Sequence, residues 1–281
     1  HIEIAAVEPK VGSVFYMLEQ NKNQAAKIES SVQCLECHTS NRNLSIPGPI
    51  VRSFPTDSIG AIERNNGVSA VNHTTPLKYR WGGWYATGKT KMPHRGNRFG
   101  ATNKAEKNSV SLTDLKPFLD TKKYPTDSSD MVALLVLEHQ AHMQNLITRL
   151  DQDAVIAMKR DGNIHSLRDN ATQFLKYLLF IDEAPIESPI SGNTGFAKQF
   201  QTKGKMDSNG RSLRSLNLET RLLEYPCSYL IYSAGFQQMQ PMMSRHLLRR
   251  LHDILTGNDE TGEFDKLTPD QRKSILEIIT E

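Results

Sequence analysis

Three residues near the amino end of the chain have the types and the spacing of a haem attachment site. Cys34 and Cys37 are two of only three cysteines among 281 residues, and His38 follows directly. The pattern C-x-x-C-H attaches c-type haem, because the two thiols add to its vinyl groups and the histidine is held under the iron. The sequence therefore predicts one covalent haem c at Cys34 and Cys37, with His38 as the proximal iron ligand.

Other uses of paired cysteines fit this segment less well. A thioredoxin-like pair needs no following histidine, and no βαβ pattern surrounds this one. A structural zinc site needs two more ligands, and no second paired motif supplies them. The third cysteine, Cys227, stands among apolar and aromatic residues in EYPCSYLIYS. Its surroundings predict a buried and unreactive thiol.

The second axial position of such a haem decides the function. A Met or His there makes an electron carrier, whereas an open position permits ligand binding or chemistry. His139 and Met143 fall on the apolar face of a predicted long helix, where a core histidine and a gap-filling methionine are the alternative interpretations. We expect the distal ligand to be, in order of preference, His139, His73 or Met143; Met92, His94 and His142 are further candidates.

Both tryptophans lie in one stretch, HTTPLKYRWGGWYATG, at residues 73–88. Arg80, Trp81 and Trp84 are donors suited to haem propionates, although a tryptophan-rich strand in the core is an equal alternative. Residues 76–107 carry eight Lys or Arg against one acidic residue, whereas the whole chain has a net charge of +3. This basic stretch predicts docking to an acidic redox partner protein or binding of the haem propionates; a solvated loop is the alternative.

Composition bounds the remaining classes. The small net charge of +3 gives no case for nucleic-acid binding, and no glycine-rich phosphate loop follows a strand. The longest apolar run, Met131–Leu137, has seven residues, whereas a membrane span needs about 20. Covalent haem attachment takes place outside the cytoplasmic membrane, so we expect a periplasmic or otherwise extracytoplasmic protein. Residues 1–30 lack an apolar signal core, which predicts that the chain starts after a cleaved or disordered leader.

Hydrophobic patterning changes along the chain. Strands are predicted at 13–18 and 79–88, and two strands joined by a turn at Pro55, Asp57 and Gly60 are predicted within 49–62. A short polar helix is predicted to lead into the haem motif over 23–38. Helical periodicity follows, from Asp130 with Ser128 or Ser129 as cap, and then at 170–180, 195–200, 218–225, 244–255 and from Thr268. The predicted fold class is α+β, with a strand-containing haem region at 1–110, faintly PAS-like or Cache-like, and a mainly helical region at 111–281.

The segments CLECH, HTTPLKYRWGGWYATG, HRGN, LEHQAHMQNLITR and YPCSYLIYS together resemble an uncharacterised family of exported bacterial monohaem cytochrome-c-like proteins. The resemblance covers roughly residues 10–280 and implies a c-type haem in an extracytoplasmic protein. It implies recurring positions at His73, His94, His139 and Met143. The chain departs from the family pattern at Lys89-Thr90-Lys91, where a His-Gly turn is more frequent.

Four functions are compatible with these features. The first is an electron-transfer cytochrome that passes single electrons to a partner. The others are a haem-based sensor or gas-binding protein, a haem oxidoreductase acting on a small molecule, and a subunit of a larger redox complex.

Overall fold

A computed structural model describes residues 2–21, 23–56, 62–63, 69–97 and 111–281. The chain combines helices with a smaller share of strands, as the predicted α+β class requires. The strands lie before residue 71 and the long helices lie after residue 130.

The first three strands form an antiparallel meander. They are β1 (Ile2–Glu8), β2 (Gly12–Glu19) and β3 (Lys27–Ser30), with β2 in the centre. The strand predicted at 13–18 is confirmed. The helix predicted over 23–38 is wrong for most of its length, because Lys27–Ser30 pairs with the open edge of β2. Only α1 (Leu35–His38) is helical in this segment.

The remaining strands are short. β4 (Arg52–Ser53) pairs with β5 (Ser69–Ala70), and Thr56 bridges to Ile62. The turn predicted between 49 and 62 falls partly on residues outside the described ones. The strand predicted at 79–88 is wrong: Trp81 has a left-handed backbone with a φ of 66°, which ends any extended run there.

A 31-residue helix, α2 (Met131–Asp161), organises the second half of the chain. Its cap is Asp130 rather than the predicted serines, because the Asp130 carboxylate accepts the amide hydrogens of Val132 and Ala133. The other helices are α3 (Arg168–Leu178), α4 (Phe196–Thr202), α5 (Ala234–Gln237), α6 (Pro241–Thr256) and α7 (Pro269–Thr280).

Two more predicted helix features have clear outcomes. The capping box of α7, formed by Thr268 and Gln271, is confirmed. The helix predicted at 218–225 is wrong, because Leu218 has a φ of 62° and Leu216 pairs with Leu223 across a turn.

One apolar core joins the two regions. Leu77, Trp81, Ala86 and Met92 are buried together with side chains from the helices that follow. The predicted boundary at residue 110 falls at the end of the stretch 98–110, which lies outside the described residues. None of the helices that the structure describes is both long and apolar enough to cross a membrane.

Candidate functional site

The C-x-x-C-H segment folds as a single helical turn at the surface. The amide of His38 donates to the Cys34 carbonyl at 3.0 Å, and α1 begins directly after Cys34. Positions three and four apart on a helix lie on the same side, so Cys37 and His38 each lie on the side of the turn that carries Cys34. Both cysteines are free thiols; Cys34 is half-buried and Cys37 is exposed.

The imidazole of His38 is oriented by one nitrogen and leaves the other free. Its Nδ1 lies 3.0 Å from the carbonyl oxygen of Gly48 and donates to it. A hydrogen bond from Nδ1 to a carbonyl is the arrangement that fixes the tautomer of a metal-bound histidine. Nε2 has no hydrogen-bond partner among the described residues, so this nitrogen is the one that can bind iron.

Asn43 holds the loop that carries this carbonyl. Its side chain is fully buried, and its amide nitrogen shares two hydrogens among the carbonyls of His38, Ile46 and Gly48. Such an amide in the middle of a loop replaces the backbone partners that a sheet would provide. The position of the Gly48 carbonyl is therefore set by the loop's own hydrogen bonds.

The same loop is tied to the long helix α2. Asn145 of α2 donates its amide to the Pro49 carbonyl at 2.8 Å, and its oxygen lies where a Cβ on Gly48 would stand. A side chain at position 48 would therefore push the loop away from the helix. Helix α2 thus supports the acceptor that orients His38.

Apolar side chains adjoin the attachment segment. The ring centroids of Phe15 and His38 are 4.7 Å apart, and Phe15 itself is buried. Val32, two residues before Cys34, is 76% exposed. An exposed valine beside the thiols offers apolar surface that a bound macrocycle would cover.

A second polar site is buried in the core. The Nδ1 atoms of His73 and His139 lie 2.8 Å apart, and His139 Nε2 lies 2.8 Å from the Ser228 hydroxyl. Both rings stack on Phe180, with centroid distances of 4.3 and 4.5 Å. We call His73 and His139 the buried histidine pair. Burial lowers the pKa of His73 well below its usual range and that of His139 to about 3, so both rings are neutral.

An ion pair lies next to the buried histidine pair. Arg80 donates to Glu138 at 2.9 Å and to the backbone carbonyls of Thr75 and His73. Burial raises the pKa of Glu138 to about 7, and the Arg80 charge opposes this rise. Both side chains are almost completely enclosed, with exposed fractions of 5% and 0%.

The structure divides the predicted site residues into two groups. Cys34, Cys37 and His38 lie together at the surface, whereas His73, His139 and Arg80 lie together in the core. Trp81 and Met143 are buried in the main apolar core. Trp84 is half-buried and donates its indole N–H to the Arg52 carbonyl at 2.7 Å.

This grouping bears on the predicted distal ligand. His139 uses both ring nitrogens in hydrogen bonds, so binding iron would require one of them to break. Arg80, which was predicted to bind a haem propionate, donates its hydrogen bonds to Glu138 and to two backbone carbonyls. His94 is a third buried imidazole: its Nδ1 accepts the Gly96 amide at 3.1 Å, and burial lowers its pKa to about 4.

Sequence reasoning missed the supporting residues. Phe15, Asn43, Gly48 and Asn145 have no motif of their own, and they come from a strand, a loop and a helix. The Ser40-x-x-Asn43 spacing forms a capping box in the structure and is the one local feature from which Asn43 could have been predicted. Cys227 is buried as predicted, and burial raises the pKa of its thiol to about 12.

No family model, curated protein or solved structure matches the chain. Within the described residues no three His, Cys, Asp or Glu side chains converge as ligands for a bare metal ion. A c-type haem does not need three such ligands: two thiols attach it and one imidazole binds its iron.

Proposed function

We propose that the chain is a monohaem c-type cytochrome that carries single electrons in an extracytoplasmic redox chain or complex. The observation that carries this proposal is His38: its Nδ1 is held by the Gly48 carbonyl while Nε2 stays free beside two reduced thiols. The proposal includes membership in the family of exported cytochrome-c-like proteins that the sequence resembles.

Each residue of the site has a distinct task. Cys34 and Cys37 would form the two thioether bonds, and His38 would bind the iron through Nε2. The Gly48 carbonyl, held by Asn43, keeps the His38 ring in place and increases its basicity as a ligand. The haem supplies the one-electron chemistry of its iron when bound.

The surface position of the site favours electron exchange with a partner. Cys37 is exposed, so one edge of a haem attached there would face solvent. Within the basic stretch, Lys78, Lys89 and Lys91 are exposed, and Arg95 lies over the ring of Tyr79. We propose that these cations dock an acidic redox partner, either free or as a neighbouring subunit of a larger complex.

A second candidate function is a haem that binds a small ligand, as a gas sensor or a small-molecule oxidoreductase. The placement of the distal candidates favours it, because His73 and His139 are bonded to each other and Met143 is fully buried in the core. A five-coordinate iron would leave its distal side open.

Covalent haem is tested by haem staining after denaturing electrophoresis. The unmutated protein should retain the stain, and Cys34→Ser with Cys37→Ser should abolish it. Cys227→Ala is the matched control, since it removes the third thiol and should leave the stain unchanged. Haem that washes out of the unmutated protein with acidified acetone would refute the attachment.

Absorption spectra then separate the two candidate functions. A low-spin protein whose spectrum does not respond to carbon monoxide supports the electron carrier. A high-spin protein that binds carbon monoxide readily supports the ligand-binding alternative.

A further inference from the structure

A cleft at the surface leads towards the buried histidine pair. The cleft has a volume of about 230 Å³, and its walls include Phe180, Glu183, Arg221 and Lys266. A smaller cavity of about 10 Å³ lies behind it, against His73 and Arg80, and shares the walls Glu183 and Pro185 with the cleft. The inner cavity is just large enough for one small polar atom.

His73 presents an unpartnered nitrogen to this inner cavity. The side chain is 2% exposed, and Nε2 has no hydrogen-bond partner among the described residues. Buried polar atoms in native proteins nearly always have a partner, so an isolated one that faces a cavity points to a ligand or a water.

The hydrogen bonds behind His73 allow two arrangements of the hydrogens. The Ser228 hydroxyl oxygen already accepts the Leu230 amide at 3.3 Å. If the hydroxyl donates to His139 Nε2, then His139 Nδ1–H donates to His73 Nδ1, and the hydrogen left without a protein acceptor is the one on His73 Nε2, beside the cavity. In the opposite arrangement the Ser228 hydrogen has no acceptor in the described structure. A ligand that accepts a hydrogen bond in the cavity favours the first arrangement, because every hydrogen in the series then has an acceptor and His73 Nε2 is the donor.

A second isolated donor belongs to Arg221, a residue in the wall of the outer cleft. Arg221 donates from Nη2 to Glu183 at 3.1 Å, but its buried Nε has no partner among the described residues. The other Glu183 oxygen accepts the Leu222 amide at 2.8 Å. Glu183 is thus satisfied by the protein, whereas Arg221 keeps one N–H available.

Phe180, in the wall of the cleft, has a strained backbone conformation. Its backbone has a φ of 55°, which is uncommon for a bulky residue and costs energy. This conformation places the ring in the wall of the cleft and against both histidines. Phe180 therefore joins the cleft, where Arg221 lies, to the ring of His73 behind it.

We propose that this cleft binds a small carboxylate, with one oxygen on His73 Nε2–H and the other on Arg221 Nε–H. A carboxylate has two acceptor oxygens and a negative charge, so it matches one neutral and one cationic donor. The short hydrocarbon part of such a ligand packs against Phe180 and Pro185. Lys266 at the mouth is engaged with Asp182, and Glu183 is neutralised by Arg221, so neither contributes an unpaired charge.

Titration calorimetry of the purified full chain with propionate tests the proposal. We expect saturable binding with a Kd on the order of 1 mM, and at least tenfold weaker binding of propionamide, which has one acceptor and no charge. In ¹⁵N spectra of the imidazoles, propionate should shift the Nε2 signal of His73.

Two variants isolate the two donors. His73→Asn keeps a partner for His139 but removes the group at Nε2, and Arg221→Lys keeps a charge for Glu183 but removes Nε. Each should weaken propionate binding at least tenfold, whereas Lys198→Ala on the surface should not change it. If either variant fails to fold, as chemical denaturation would show, the wild-type His73 signal decides.

The proposal is overturned if propionate does not saturate, if propionamide binds equally well, or if both folded variants retain wild-type affinity. A titration that leaves the Nε2 signal of His73 unmoved also refutes it, since the isolated donor is then met by water alone.

Discussion

His38 and His139 are histidines in opposite surroundings. His38 lies at the surface, with Nδ1 on a backbone carbonyl and Nε2 free. His139 is fully buried, with Nδ1 on His73 and Nε2 on Ser228. A histidine becomes a metal ligand when its environment orients one nitrogen and leaves the other accessible. By this criterion His38 has an oriented ring with Nε2 accessible to a ligand, whereas both ring nitrogens of His139 are engaged in hydrogen bonds.

The two histidines also differ in how far along the chain their hydrogen-bond partners lie. At the surface site, the hydrogen bonds that orient His38 join residues close in sequence, through Gly48 and Asn43, and one further bond from Asn145 holds this loop to α2. The core site relies on partners far apart in the chain: His73 and His139 are 66 residues apart, and His139 and Ser228 are 89 apart. Substitutions in the core should therefore affect folding, whereas those at the surface should affect the proposed haem attachment.

Arg80→Met should have the largest effect on stability. It removes three donors from a buried site and leaves Glu138 without its countercharge, so we expect a loss of about 3–5 kcal/mol in the free energy of unfolding at pH 8. The loss should shrink at pH 5, because Glu138 can then take up a proton. Chemical denaturation at both pH values measures it.

Arg149→Met provides the matched control. Arg149 pairs with Asp153 on the exposed side of α2, and its own side chain is 44% exposed. Its loss should cost less than about 1 kcal/mol. Equal losses in the two variants would show that the buried pair has no special role.

His139→Ala tests the distal-ligand prediction directly. Removing this imidazole leaves His73 Nδ1 and the Ser228 hydroxyl without their partner, which should cost about 1–3 kcal/mol. Since both nitrogens are engaged in the core, we expect the haem spectrum of the folded variant to match that of the wild type. Conversion to a high-spin form that binds carbon monoxide would instead restore His139 as the iron ligand.

The sequence predicted those parts whose signals are local. The C-x-x-C-H turn, the strand at 13–18 and the capping box of α7 each depend on a few adjacent residues. The failures have a common cause: β3 forms because β2 offers an open edge, and Trp81 and Leu218 adopt left-handed backbones because of their tertiary surroundings. No sequence pattern predicts the contact between His73 and His139, because the fold brings them together from separate segments.

Acid should destabilise the protein through its buried histidines. Burial lowers the pKa of His142 to about 4, below its value of 6.5 in the unfolded chain. Between these values the unfolded state binds a proton that the folded state does not, so stability falls as the pH falls, by about 1.4 kcal/mol per pH unit for each such histidine.

His142→Phe removes one of these protons and keeps the contact with Tyr177, whose ring centroid lies 4.8 Å away. The slope of unfolding free energy against pH between 6 and 5 should therefore decrease by about 1.4 kcal/mol per unit. An unchanged slope would mean that His142 is already protonated in the folded protein.

The smallest expected effect concerns the basic surface around Tyr79, where Lys78 and Arg95 lie 5.0 and 5.3 Å from the ring centroid. Opposite charge raises encounter rates at low salt, and the Debye length of about 10 Å at 0.1 M limits how far it acts. We expect Lys78→Glu to slow oxidation of the reduced protein by ferricyanide, an anionic one-electron acceptor, roughly 2–5-fold at 10 mM salt and hardly at all at 0.5 M. Lys198→Glu makes the same charge change on α4 and serves as the control. Stopped-flow rates that are insensitive to ionic strength, or equal in both variants, would remove this surface from the proposed docking site.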